Sequence, residues 1–190
     1  MRNFIALFSS SYRELKNIRC ITLVAMLGAI SIVLGMYLTI MPVETMKISF
    51  TFLPNEFVYY LFGPVVGAVY GAALDILTFV VRPTGPFFYG FTVSAILTGF
   101  IYGSILYRKP LSLMRIITAK VIHMVAINLI LNTYWLTLLY GSGFLALLPM
   151  RLLKAVIMLP VETLLLYSLI KGVEATGVLK GFRNTKTKIS

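Results

Sequence analysis

The stretch CITLVAMLGAISIVLGMYLTIMP, residues 20–42, carries no charged side chain and is almost wholly apolar. A helix of about 20 apolar residues crosses the hydrocarbon core of a bilayer, which is roughly 30 Å thick. The rest of the chain has the same character, since 59% of its 190 residues are hydrophobic and only 12% are charged. The sequence therefore predicts an integral membrane protein.

Further apolar segments follow, separated by polar stretches or by proline and glycine. The first of them is short, is interrupted at Pro54–Glu56 and ends at the Gly63-Pro64 pair. The pattern predicts an all-α fold, a bundle of six transmembrane helices. The expected spans are residues 20–42, 50–62, 65–81, 89–107, 116–140 and 150–170.

Both ends of the chain are basic. Residues 1–19 alternate apolar and basic side chains at helical spacing, which predicts a short interfacial amphipathic helix. The apolar run after Cys20 is too long for a cleavable signal and lacks a small-residue cleavage site. Three regions are expected: the interfacial segment 1–19, the transmembrane domain 20–171 and a basic tail 172–190.

The chain has 17 Lys and Arg against 6 Asp and Glu, a net charge of +11. These residues lie mostly between apolar runs, which indicates orientation in a bilayer and not a nucleic-acid partner. An even number of spans puts both termini on one side, and most basic residues then fall on that side. The positive-inside bias predicts a multi-pass protein of the cell membrane with cytoplasmic termini.

Several function classes are excluded by what the sequence lacks. The single Cys20 and the single His123 cannot form a disulfide framework or a multi-His metal site. The sequence contains no P-loop, no dinucleotide fingerprint and no G-x-S-x-G. We therefore expect no catalytic residue, no cofactor and no metal, and any ATP must be hydrolysed by a partner.

Polar residues inside three of the predicted spans recur at helical spacing, so each set forms one stripe. The stripes imply one interior cavity with a basic outer half and with carboxylates and amides deeper inside. Such a lining suits a ligand with an anionic end and an aromatic, hydrogen-bonding end. The stripes are Asp75, Thr78 and Arg82; Asn128, Asn132 and Trp135; and Arg151, Lys154 and Glu162.

Other interpretations of these residues stay open. Asp75 with Arg82, or Glu162 with Lys154, could form structural ion pairs between helices. Lys120 and His123, near the inner end of the fifth span, are expected to snorkel or to bond to a neighbouring helix.

Small residues spaced four apart allow helices to approach closely. The pairs Gly67/Gly71 and Gly99/Gly103 are explained by packing inside the bundle. Ala25 and Ala29 lie on a span that carries no charge from residue 21 to 41, so this pair is a candidate contact for a partner protein.

Four stretches together with this alanine pair resemble the folate-specific substrate-binding components (S components) of energy-coupling factor transporters. The stretches are FLPNE (52–56), GPVVGA (63–68), LNTYWL (131–136) and LPMRLLK (148–154). The resemblance covers nearly the whole chain, and the last two stretches favour folate over riboflavin, thiamine or biotin.

The resemblance implies a vitamin-importer subunit that captures folate outside and delivers it across the membrane when docked on partners. Those partners are a membrane-embedded coupling subunit and two ATPase subunits. In that family the small-residue face of the first helix contacts the coupling subunit, which implies this role for Ala25 and Ala29. The loop at residues 42–49 is implied to gate a site on the outer side.

With folate as the ligand, we expect Trp135 to stack on an aromatic ring and amides or carboxylates to read the pterin. Basic residues are expected to hold the glutamate carboxylates, although the ligand's orientation could be reversed. An S component for another vitamin, or a stand-alone small transporter, is the alternative. The expected binding residues are Asp75, Arg82, Asn132, Trp135, Arg151, Lys154 and Glu162.

Overall fold

A computed structural model describes residues 2–43, 46–83, 85–141 and 143–177 of the chain. Five of its helical stretches are long and apolar enough to cross a membrane, at residues 18–37, 52–81, 89–106, 113–139 and 148–175. The helices are α1 (Arg2–Glu14), α2 (Ile18–Tyr37), α3 (Phe52–Val81), α4 (Tyr89–Leu106), α5 (Leu113–His123), α6 (Asn132–Tyr140) and α7 (Phe144–Ala175), and a π-helical segment (Met124–Leu131) joins α5 to α6.

The helix α3 folds back on itself at Gly63, whose φ of 85° and ψ of −168° are not helical. The hydroxyl of Tyr70 donates to Oδ1 of Asn55 at 2.8 Å, whereas 15 residues of straight helix would separate them by roughly 22 Å. We call residues 52–62 the first arm and residues 64–81 the second arm. With the two arms counted separately, the described residues contain six apolar helical stretches, the number that the sequence predicts, although several of their bounds differ.

Helix α1 packs against this reversal. The buried hydroxyl of Ser11 donates to the carbonyl oxygen of Phe62 at 2.7 Å and accepts from the amides of Val65 and Val66 at 3.1 and 3.2 Å. The end of one helix and the start of the next leave such groups without helical partners. Ser11 therefore provides hydrogen-bond partners for backbone groups at the point where the helical hydrogen bonding is interrupted. A helix in the N-terminal region is confirmed, and its interfacial location stays a prediction.

The segment between α2 and the first arm differs from the prediction. Helix α2 ends at Tyr37 instead of continuing to Pro42, because strand β1 (Thr39–Val43) pairs antiparallel with strand β2 (Met46–Ser49). Residues 44 and 45, in the predicted gating loop, lie outside the described residues.

Two further boundaries differ. The interruption expected at Pro54–Glu56 is wrong, because Pro54 lies in the first turn of α3, where a proline needs no amide partner. The last helix, α7, runs over Phe144–Ala175, whereas the predicted span was 150–170, so the expected outer segment 141–149 is largely helical.

The second arm and α4 approach each other closely through glycines. A Cβ atom placed on Gly67 would lie 2.8 Å from the carbonyl oxygen of Gly99. Farther along, Gly71 faces the backbone of Ala95, and Gly103 faces Pro64. The predicted packing role of these small residues is confirmed.

Candidate binding site

Three ionisable residues meet inside the bundle. The ammonium of Lys120 on α5 donates to Oε1 of Glu56 on the first arm at 2.7 Å and to Oε2 of Glu162 on α7 at 3.0 Å. The side chains of Lys120 and Glu56 are only 3% and 5% exposed, and that of Glu162 is 29% exposed. Buried charges are costly unless they are paired. This triad therefore ties three helices together.

Aromatic rings surround the ammonium of the triad. The Nζ atom of Lys120 lies 5.0 Å from the ring centre of Phe52 and 5.9 Å from that of Tyr102, within the range of cation–π attraction. Oε2 of Glu56 is buried and makes no hydrogen bond to the residues that the structure describes. Two carboxyl groups share one ammonium, so the triad keeps capacity to accept further hydrogen bonds.

Two cavities adjoin the triad. The larger one, about 420 Å³, lies between α2, strand β2, both arms of α3 and α7. Polar groups in its lining include Ser49, Asn55 and Arg82. Its volume lies within the range of about 300–1,000 Å³ that small-molecule sites occupy.

The smaller cavity, about 170 Å³, lies between α4, α5, the π-helical segment and α7. Its lining includes His123, Asn128 and Arg151. Both cavities are lined by Lys154, Met158 and Glu162, which lie along one face of α7. This face of α7 is therefore the common wall of the two cavities.

The predicted cations occupy defined positions around the cavities. At the end of the second arm, Nη1 of Arg82 donates to the carbonyl oxygens of Gly35 and Met36 at 3.5 and 3.3 Å. These carbonyls belong to the last turn of α2, where the helix dipole favours a positive charge. Arg82 therefore links α3 to α2 at the rim of the larger cavity.

Arg151 is positioned by the π-helical segment. Its Nη1 atom donates to the carbonyl oxygen of Asn128 at 3.0 Å and to the hydroxyl of Thr133 at 3.3 Å. Thr133 also donates to the same carbonyl at 3.2 Å. The guanidinium is thereby fixed beside the smaller cavity, and Lys154 lies one turn along α7.

Three other predicted site residues make contacts between or along helices. Oδ2 of Asp75 accepts from Thr92 of α4 at 2.7 Å, and Nδ2 of Asn132 donates to Asn128 at 3.4 Å. Nε1 of Trp135 donates to the hydroxyl of Ser94 at 3.2 Å. Among the described lining residues of the two cavities, Asp75, Asn132 and Trp135 do not occur.

The described residues do not form the two ion pairs that the sequence left open, Asp75 with Arg82 and Glu162 with Lys154. Arg82 and Asp75 each bond to other groups, and the ion pair of Glu162 is with Lys120. Of the two expectations for Lys120, snorkelling is wrong because the side chain is buried, and bonding to neighbouring helices is confirmed. Glu56 was not among the predicted site residues, although an acidic residue within an apolar span is itself a signal of function.

Ala25 and Ala29 lie one helical turn apart on α2, and both are exposed. Large apolar side chains near them, such as those of Met26 and Ile30, are 59% and 48% exposed. The described bundle therefore leaves this face of α2 open to lipid or to another protein, and the partner contact stays a prediction.

The model of the family "ECF transporter, substrate-specific component" matches residues 19–170, most of the chain. The chain belongs to this family. The resemblance inferred from the sequence motifs is thus confirmed, and this S component is a multi-pass membrane protein whose family role is to recognise a transported substrate.

Individual relatives agree with the family assignment. The S component is 32% identical over 165 residues to a folate transporter FolT of Clostridium novyi (strain NT), which covers 87% of this chain and 95% of that relative. It is 31% identical over 161 residues to a folate transporter FolT of Leuconostoc mesenteroides subsp. mesenteroides, with 81% and 85% covered.

A solved structure is also similar. The crystal structure of FolT bound with folic acid has a TM-score of 0.74 and 34% sequence identity to this S component, with 80% of this chain and 93% of that chain covered. The helical bundle described above is therefore similar to that of FolT.

Proposed function

We propose that this chain binds folate on the outer side of the cell membrane and delivers it inward, using ATP that partner subunits hydrolyse. The observation that carries the proposal is the similarity over most of the chain to relatives named folate transporters and to a structure holding folic acid. The charged lining of the two cavities supports it independently.

Folate is a pterin ring joined through an aminobenzoyl group to glutamate, so it is anionic at one end and rich in hydrogen-bonding groups at the other. The cavities offer the complementary groups. Arg82, Arg151 and Lys154 supply positive charge, and Glu162 supplies an acceptor. We propose that the cations bind the glutamate carboxylates and that Glu162 binds the pterin.

We propose a structural role, and not direct contact with folate, for Asp75, Asn132 and Trp135. Their hydrogen bonds run to Thr92, to Asn128 and to Ser94. We propose that Asp75 and Trp135 hold the second arm and α6 against α4, and that Asn132 stabilises the junction between the π-helical segment and α6. Trp135 still reports on binding, because it lies on α6, the continuation of the π-helical segment that lines the smaller cavity.

The partners and the topology complete the proposal. The exposed pair Ala25 and Ala29 is proposed to contact the membrane-embedded coupling subunit, which two ATPase subunits drive. Both termini are proposed to lie in the cytoplasm of the cell, where the basic residues of the chain ends favour them. The α1 helix and the reversal at Gly63 then lie on the cytoplasmic side.

The test is a titration of the purified, detergent-solubilised protein with folic acid, without partners or ATP. Binding is followed by the fluorescence of Trp135, the one tryptophan of the chain, and by calorimetry. Saturable, tight binding of folic acid is expected, with riboflavin, thiamine and biotin inert. Binding of another vitamin would overturn the specificity, and absence of heat for every compound would overturn the proposal.

A further inference from the structure

Glu162 differs from the other charged residues of the site because it belongs to the triad and to both cavities at once. Its Oε2 atom accepts from Lys120, while the side chain remains 29% exposed and lines the larger and the smaller cavity. A carboxylate has about four acceptor positions, so one hydrogen bond to an ammonium leaves most of them available.

We propose that Lys120 is a positioning residue, which fixes the carboxylate of Glu162 so that it selects a ligand ring with adjacent N–H donors. The inference rests on the proposed function, since the 2-amino-4-oxo edge of a pterin presents such a donor pair. It adds a residue that is buried in the wall of the smaller cavity and acts on the ligand through another residue.

The geometry supports this role for the lysine. Lys120 is also anchored by Glu56 at 2.7 Å and lies within cation–π distance of the rings of Phe52 and Tyr102. A side chain held on several sides has little freedom, so the second hydrogen bond, to Glu162, fixes the carboxylate that accepts it. Without that bond, rotation about the side-chain bonds would turn the carboxylate of Glu162 away from the ligand.

The charges support the same role. Glu56 and Glu162 share one ammonium, and Oε2 of Glu56 lacks a hydrogen bond within the described part of the chain. A buried group of two carboxyls and one ammonium favours additional N–H donors and rejects additional acceptors. A ring with two adjacent N–H groups meets this need, whereas a ring that lacks them leaves the carboxylate unsatisfied.

The experiment compares folic acid with its 2-deamino-2-methyl analogue, which lacks the amino donor, on four proteins. The proteins are the wild type, Lys120→Met, Glu162→Gln and the double variant, each measured by calorimetry in detergent. The wild type is expected to prefer folic acid by roughly ten- to a hundredfold, the size of a charge-assisted hydrogen bond. Failure of the wild type to bind folic acid would instead contradict the proposed function.

In Lys120→Met and in Glu162→Gln, the preference for folic acid is expected to fall towards unity, while the affinity for the analogue changes by only a few fold. The double variant is expected to be no less selective than Glu162→Gln alone, because both changes remove one interaction. Equal losses for both ligands in Lys120→Met would overturn the proposal and make the lysine a structural tie only.

Two further variants keep the test decisive. Lys120→Arg retains the positive charge and is expected to keep more of the selectivity than Lys120→Met, which covers the case in which the latter does not fold. Lys171→Met removes an exposed lysine of α7 that lies over Tyr167, and it is the matched control. A selectivity that persists in Glu162→Gln would show that this carboxylate does not read the ring.

Discussion

Tyr70 and Asn55 lie on opposite arms of α3, and the tyrosine hydroxyl donates to the asparagine Oδ1 atom at 2.8 Å. Asn55 lines the larger cavity, so the bond that holds the arms together also orients part of the cavity wall. Tyr70→Phe is expected to destabilise the protein by about 1 kcal/mol and to weaken folate binding. Thermal unfolding and calorimetry measure the two effects, and unchanged affinity would contradict the coupling.

Gly63→Ala tests the reversal itself. The positive φ of 85° disfavours any side chain, and a Cβ atom would lie 2.7 Å from Cδ1 of Tyr107. The change is expected to cost more than about 1–2 kcal/mol, measured as a lower unfolding temperature. Gly172→Ala is the control, because it lies inside α7 with open space around it and is expected to be neutral or stabilising.

Ser11→Ala tests the role of α1. The change removes the group that bonds to the carbonyl of Phe62 and to the amides of Val65 and Val66. Unsatisfied buried polar groups cost about 1–3 kcal/mol, so a clear loss of thermal stability is expected. Ser10→Ala serves as the control, since that hydroxyl donates to the carbonyl oxygen of Leu7 within its own helix and does not bond to the backbone at the reversal among the described residues. Equal stability of the two variants would argue against a role for Ser11 at the reversal.

Arg151→Met tests which end of the ligand meets the cations. Folic acid is expected to bind at least roughly tenfold more weakly, as befits the loss of a charge-assisted bond, while a pterin without the glutamate is affected less. Calorimetry with both ligands distinguishes the cases. Equal losses would indicate that Arg151 positions the π-helical segment, through its 3.0 Å bond to Asn128, and does not bind the carboxylate.

Ala29→Leu tests the exposed face of α2. Because Ala29 does not line either cavity among the described residues, the variant is expected to bind folate normally in detergent. Uptake by proteoliposomes that contain the assembled transporter is expected to stop, since the larger side chain keeps the coupling subunit at a distance. Ile30→Leu is the volume-conserving control on the same helix, and normal uptake by Ala29→Leu would contradict the partner contact.

Much of the fold was predictable, because membrane spans and the Gly63-Pro64 break have strong local signals. The β-hairpin formed by strands β1 and β2 was not predictable. Strand β1 continues the apolar run of residues 20–42, and hydrophobicity alone does not separate an apolar strand from the end of an apolar helix. The boundary at Tyr37 depends on pairing with β2.

The binding site was likewise predictable only in part. The stripe of Arg151, Lys154 and Glu162 lies on one regular helix, and helical periodicity placed all three on the smaller cavity. The stripe from Asn128 to Trp135 assumed 3.6 residues per turn, whereas Met124–Leu131 is π-helical and has a different period. Glu56 and Lys120 pair across 64 positions in the chain, and no local pattern predicts such a contact.

The contact between Gly67 and Gly99 limits how the protein can move. No methyl group fits between these backbones, so the second arm and α4 can neither slide nor rotate past each other without a clash. They form one rigid unit. Any change of shape that admits or releases a ligand is therefore expected in the β1–β2 hairpin, in α5 to α7 and in the hydrogen bonds that join them to this rigid unit.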